Sequence, residues 1–71
     1  MEESVSVYKV IEIIGTSTTS WEDAAVTAVK TAGTTVRDLR VAEVVKQDLD
    51  LDSEGGPTFR VKLQISFKYE S

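Results

Sequence analysis

The sequence predicts an α+β fold in the order strand, helix, strand, strand, and three observations carry that prediction. After Pro57 the chain alternates: Phe59, Val61, Leu63, Ile65, Phe67 and Tyr69 are apolar, with Arg60, Lys62, Gln64, Ser66 and Lys68 between them. Strict alternation of that length describes a long strand with one buried and one wet face. Ser20-Trp21-Glu22-Asp23 has the character of a helix start, and Trp21, Ala25, Ala28, Val29, Ala32 and Val36 follow at helical spacing. Asp52-Ser53-Glu54-Gly55-Gly56-Pro57 is dense in turn formers and joins two strand-like runs as a hairpin.

In chain order, residues 4–16 form the first predicted strand. Val5, Val7, Ile11 and Ile13 fall on one face, and Tyr8, Val10 and Ile14 on the other. Apolar residues on both faces predict neighbours on both sides. In the helix, Ser20 is placed to cap the first turn, and Asp23 stands at the capping-box position as a shorter substitute for Glu. Glu22 and Asp23 also suit the positive end of the helix dipole. The stripe is made mostly of small residues, which predicts close approach to whatever it covers. Gly33 and Thr31, Thr34 and Thr35 are poor helix formers, so the last turn is expected to fray. The second strand spans residues 41–51. Strict alternation puts Val41, Glu43, Val45, Gln47, Leu49 and Leu51 on one face, and Ala42, Val44, Lys46, Asp48 and Asp50 on the other.

Seventy-one residues make one small domain, 1–71, with a core too small to supply more than a few kcal/mol. Strands of about 11 residues make a sheet about 35 Å long, whereas a helix of about 15 residues reaches only about 22 Å. Either the sheet curls around the helix, or other copies of the chain cover it, or both.

Composition narrows the chemistry. There is no Cys and no His, which removes disulfides, thiolate nucleophiles and the commonest general base and transition-metal ligand. Catalysis is not expected: no nucleophile–base spacing stands out, and Gly55-Gly56 lies between strands and opens no helix to cradle a phosphate. Twelve Asp and Glu against eight Lys and Arg, net charge −4, argue against a nucleic-acid partner. The same balance permits hard cations such as Ca²⁺ or Mg²⁺. No apolar run approaches the roughly 20 residues of a membrane span. Residues 1–4 are acidic and unlike a secretion signal, so a cytoplasmic protein is expected.

Specific words then converge. Val7-Tyr8-Lys9-Val10-Ile11-Glu12-Ile13-Ile14-Gly15-Thr16-Ser17 resembles the first strand of dodecins. Ser20-Trp21-Glu22-Asp23-Ala24-Ala25 is similar to the start of their helix, Val41-Ala42-Glu43-Val44-Val45 to their second strand, and the closing alternation through Phe67 to their third. The resemblance covers nearly the whole chain. It implies a three-stranded antiparallel sheet wrapped around one helix, and twelve copies in a hollow shell of cubic 23 symmetry. It also implies a binding or storage role. Many dodecins stack flavins in pairs between tryptophans at two-fold contacts, and some carry divalent cations.

Departures from the family pattern decide the expected cargo. Val41 stands where flavin-binding dodecins have the stacking Trp, and Arg60 where some have the glutamine that holds the ring edge. FMN or riboflavin binding is therefore expected to be weakened or lost, although Arg60 can still stack on a ring or grip a phosphate. The Asp-Leu-Arg-Val-Ala junction resembles a mycobacterial branch of dodecins described as calcium-binding, which favours Ca²⁺. An FMN-storing shell and a purely structural assembly are the alternatives.

The candidate metal ligands are Asp48, Asp50 and Asp52, carboxylates at every second position, about 7 Å apart on one side of a regular strand. The competing reading is a solvated strand end that keeps the edge soluble. The echo of an EF-hand loop fails, because Ser53 replaces the required Gly and Phe59 the bidentate Glu. The candidate ligand-pocket residues are Val41, Glu43, Gln47 and Arg60. Glu43 is first expected to form a structural ion pair, with Arg60 or Lys62 of the neighbouring strand or with a symmetry-related copy, ahead of a ligand contact. Gln47 is placed to bond a ligand or a neighbouring chain. Arg37 and Arg40 are expected to pair between subunits, or to hold a phosphate tail.

Overall fold

The computed structural model describes residues 5–52 and 54–69. The chain runs β1 (Tyr8–Ser17), α1 (Trp21–Ala32), β2 (Leu39–Asp50) and β3 (Thr58–Lys68). The strands form one antiparallel sheet in the order β1-β3-β2, so the alternating strand is the central one.

Central position explains why β3 has the cleanest sequence pattern. Val61, Leu63 and Ile65 point at α1 and are fully buried, meeting Ala24 and Ala28 from the helix. Register places Gly15, Ile13 and Ile11 of β1 directly opposite these three residues, on the same face. A Cβ on Gly15 would collide with the Ala24 carbonyl and sit 2.8 Å from the Ala28 Cβ. Glycine here lets helix and strand touch along their backbones. Ala24, absent from the predicted stripe, is consequently the most deeply buried helical residue.

Ser20 caps α1 as expected, its hydroxyl accepting the Asp23 N–H at 3.0 Å. The reciprocal half of the box is replaced. Asp23 accepts a 2.7 Å bond from the Ser17 hydroxyl, and Ser17 Oγ takes the N–H groups of Thr19 and Ser20. A side chain one carbon shorter than Glu reaches the preceding strand end instead of the cap residue's own amide. The helix stops at Ala32, and Val36 lies beyond it. Thr34 and Thr35 turn their hydroxyls onto the carbonyls of Thr31 and Ala32, the local competition that makes Ser and Thr weak helix formers.

Three expectations are corrected. β1 is an edge strand whose outer face, Tyr8, Val10 and Ile14, is exposed, so its two-sided apolar pattern is not satisfied inside one chain. It begins at Tyr8: Val5 and Val7 precede the ladder, and Ser4 lies outside the described residues. β3 ends at Lys68, leaving Tyr69 half-exposed, with its N–H on the Val7 carbonyl at 2.9 Å and the Lys9 ammonium 5.4 Å from the centre of its ring.

The third correction concerns β2. Its register slips between Leu39 and Val41 and again between Val44 and Lys46. Each irregularity inverts the alternation, because one extra residue moves all later side chains to the opposite face. Leu39, Ala42, Val44, Gln47 and Leu49 stand opposite the helix-facing row of β3; Val41, Glu43, Lys46, Asp48 and Asp50 stand opposite its outer row. Glu43 and Gln47 therefore lie on opposite faces, not together. α1 covers β1 and β3 and barely reaches β2, so from β2 only Leu39 packs on the core.

Candidate functional site

The outer face gathers the charged groups. At the hairpin end Asp48 lies directly opposite Arg60, and the two form a forked ion pair. Arg60 Nε donates to Asp48 Oδ1 at 2.8 Å and a terminal nitrogen donates to Oδ2 at 3.1 Å. Both carboxylate oxygens are engaged, the bidentate geometry for which guanidinium is suited. The bond to Arg60 holds the Asp48 carboxyl below its usual range, with help from Lys46 and Lys62, against a smaller opposing effect of desolvation. The same bond raises Arg60. Arg60 thus pairs with Asp48 and not with Glu43, which stands opposite Gln64. Gln64 in turn donates a 3.4 Å bond to Glu12 across the other ladder.

Lys46 and Lys62 face each other next to this pair, like charges directly across a ladder. With Ile14, Asp48 and Arg60 they line a hollow of about 90 Å³. Ligand pockets run to roughly 300–1,000 Å³, so a single chain offers nothing here that encloses a flavin-sized molecule.

The remaining candidates are spread out. Val41 is exposed on the outer face opposite Ser66, whose hydroxyl reaches the Val41 carbonyl at 3.5 Å. Six residues of β3 separate that level from Arg60, about 20 Å at the strand rise. Val41 and Arg60 share a face but not a pocket within one chain. Gln47, opposite Val61, is on the other face. Asp50 ends β2, and its Oδ1 accepts the Asp52 N–H at 3.0 Å in the turn. The regular row of three carboxylates is thereby broken: Asp48 and Asp50 share a face, while Asp52 belongs to the turn.

As donors for a hard cation these oxygens have the right chemistry and the wrong count. Ca²⁺ takes 6–8 oxygens, whereas Asp48 is occupied by Arg60 and Asp50 carries a turn amide. Among the described residues no group of three acidic side chains in one chain is placed to hold a metal. A cation at this end needs oxygens from neighbouring copies, the release of Asp48, or both.

One participant escaped the sequence reading. The Trp21 indole N–H donates to the Asp48 carbonyl at 3.0 Å, and its ring stands edge-on to Phe59 at 5.0 Å. The aromatic residue of the helix start therefore anchors the backbone of the site from the inner face. Its polar indole tip was the available signal, since a buried Trp N–H usually finds a partner.

Comparison with known proteins identifies the fold and its family. The family model for dodecins matches residues 7–70. The chain belongs to the dodecin family. This dodecin is 59% identical over 64 residues to calcium dodecin of Mycobacterium tuberculosis, covering 90% of each chain. The crystal structure of calcium dodecin from that organism, described as a calcium-chelating immunodominant antigen with a novel calcium-binding site, superposes with a TM-score of 0.81 at 58% identity, over 92% of this chain and 93% of the other. Dodecin from Streptomyces coelicolor superposes at 0.87 with 30% identity, over 97% and 99%. A variant of Thermus thermophilus dodecin reaches 0.84 with 31% identity, over 94% and 100%. Among the described residues no helix is long and apolar enough to cross a membrane.

Proposed function

We propose that this chain is the subunit of a homododecameric shell of 23 symmetry that binds and stores a small ligand, with Ca²⁺ favoured over Mg²⁺ and with flavin binding weakened or lost. The observation that carries this reading is the 59% identity, over 90% of both chains, to a protein called calcium dodecin. The assembly is supported by apolar surface that one chain leaves open. Val10, Ile14, Val41, Val44 and Val45 are each about half exposed or more on a sheet with a single helix, and isolated domains rarely tolerate such patches. Weak flavin binding is supported by Val41, an aliphatic side chain that offers no ring to stack on.

A binding role and not an enzymatic one is supported by the absence of His and Cys and by the strongest electrostatic feature, which is an ion pair and not an acid–base couple. Asp48, Asp50 and Asp52 are the proposed cation ligands, completed by neighbouring copies. The acidic balance favours no nucleic-acid or membrane partner, and the expected location is the cytoplasm.

Calorimetric titration of the metal-free protein with CaCl₂, MgCl₂ and FMN tests the reading, with native mass spectrometry of the same sample. A twelve-subunit mass, saturable Ca²⁺ uptake and little or no FMN uptake are expected. A monomeric or dimeric mass at micromolar concentration overturns the shell, and tight FMN binding with no Ca²⁺ uptake overturns the cargo.

A further inference from the structure

We propose that the hollow between Lys46, Lys62 and Arg60 is a binding site for a phosphate group, carried by the free ion or by a small phosphate ester. The site stands apart from the calcium reading above, and neither depends on the other. Three cations and one carboxylate line the hollow, on a chain whose net charge is −4. Lys46 and Lys62 lie directly opposite each other on the outer face, an arrangement that destabilises a ladder unless negative charge sits between them. Asp48 does not serve: both lysines act on it through charge alone, while Arg60 holds its two oxygens. Glu12 and Glu43 stand one level along, on either side of Gln64. Among the described residues neither lysine is in ion-pair contact with an acid.

The surroundings suit a tetrahedral oxyanion. Asp48 takes two of the five guanidinium N–H donors, holds the group in one orientation and leaves three donors for another acceptor. The Asp48 backbone is itself held by the Trp21 indole, so the arginine is placed before any ligand arrives. Lys46 and Lys62 offer three donors each on long stems. Ile14 bounds the β1 side of the hollow and brings no competing acceptor. A phosphate ester carries about −1.5 to −2 at neutral pH, which matches a lining of three positive charges and one negative. The volume of about 90 Å³ takes one such group and leaves the rest of an ester outside.

The test titrates inorganic phosphate and ribose 5-phosphate into the metal-free protein at constant ionic strength, set with chloride and read by calorimetry. Wild type, Lys46→Gln, Lys62→Gln and Lys30→Gln are compared, the last on the exposed side of α1. Removing one positive charge within a few Å of a bound dianion in screened solvent gives an expected three- to tenfold weaker Kd for Lys46→Gln and for Lys62→Gln. Lys30→Gln should change it less than twofold. Phosphate should raise the melting temperature of the wild type above that in chloride, and the rise should shrink in both site variants. Without phosphate those variants should melt no lower than the wild type, because the opposed like charges are gone. Should either variant alter the assembled mass, acetylation of the wild type replaces it: phosphate should protect Lys46 and Lys62 and leave Lys30 reactive.

Tighter binding of ribose 5-phosphate assigns the hollow to the end group of an ester, and equal binding assigns it to the free ion; either supports the site. No saturable uptake of either compound at millimolar concentration overturns it. So does an equal loss in all three variants, which would mean attraction to the chain's lysines in general. Lower melting of the site variants without phosphate overturns it as well, since the two lysines would then be held by acids of a neighbouring copy. The calcium titration described above is unaffected by any of these results.

Discussion

Gly15 sets how closely α1 lies on β1. With the Ala24 carbonyl and the Ala28 Cβ occupying the place of any side chain, Gly15→Ala forces helix and sheet apart. A cost of about 1–3 kcal/mol is expected for such overpacking, measured as a lowered denaturant midpoint at fixed protein concentration. Asp48 makes a second prediction at this scale. Its carboxyl is depressed in the folded chain, chiefly by its bond to Arg60, so the unfolded state binds the proton more readily. The stabilisation is therefore complete above the ordinary carboxylate pKa of about 3.9 and is lost as pH falls through the lower folded value. Arg60 is shifted upward and adds nothing that titrates in the usual range. The melting-temperature gap between wild type and Asp48→Asn should hold from neutral pH to about pH 5, then close on acidification. A gap that widens in acid contradicts the assignment.

At the scale of elements, α1 is specified by its first turn more than by its length. Ser20 and Ser17 together satisfy amides around the helix start, and Asp23 locks the strand end to them. Ser20→Ala should cost about 1 kcal/mol, seen as a lower melting temperature with an unchanged helical signal at 25 °C. The α1 boundary was legible from Ser20 because capping is local chemistry. β3 was legible for a different reason: as the central strand it has one face wholly buried, so selection by burial acts on every second residue. β2 was misread from residue 45 onward because a bulge is decided by pairing with β3 and carries no local mark in Val44-Val45-Lys46. That slip put Glu43 and Gln47 on opposite faces of the sheet, where strict alternation had placed them together.

At the scale of the whole molecule, the chain is long and thin. Its extents are 51 × 20 × 17 Å and its radius of gyration is 14.6 Å, against about 11 Å for a compact domain of this length. Only five hydrophobic residues among those described are buried, which is little for a stable isolated fold. Copies of the chain covering one another's sheets would supply the rest of the burial. Val10→Asp places a charge on the open face of β1, where it would be desolvated by a neighbour. Loss of the large particle in native mass spectrometry is expected, with strand and helix signals largely kept. An intact particle would mean that this face stays wet.

The order of elements, the cap at Ser20, the alternation of β3 and the family were all written in the sequence, because each depends on residue type and spacing over a few positions. Exclusions of thiol and imidazole chemistry came from composition in the same way. The partner of Arg60, the split of Glu43 from Gln47, the hold of Trp21 on Asp48 and the contact of Gly15 with Ala24 were decided only by the tertiary structure. Those contacts join residues distant in the chain, and their identity turns on strand register, which one extra residue in β2 is enough to change.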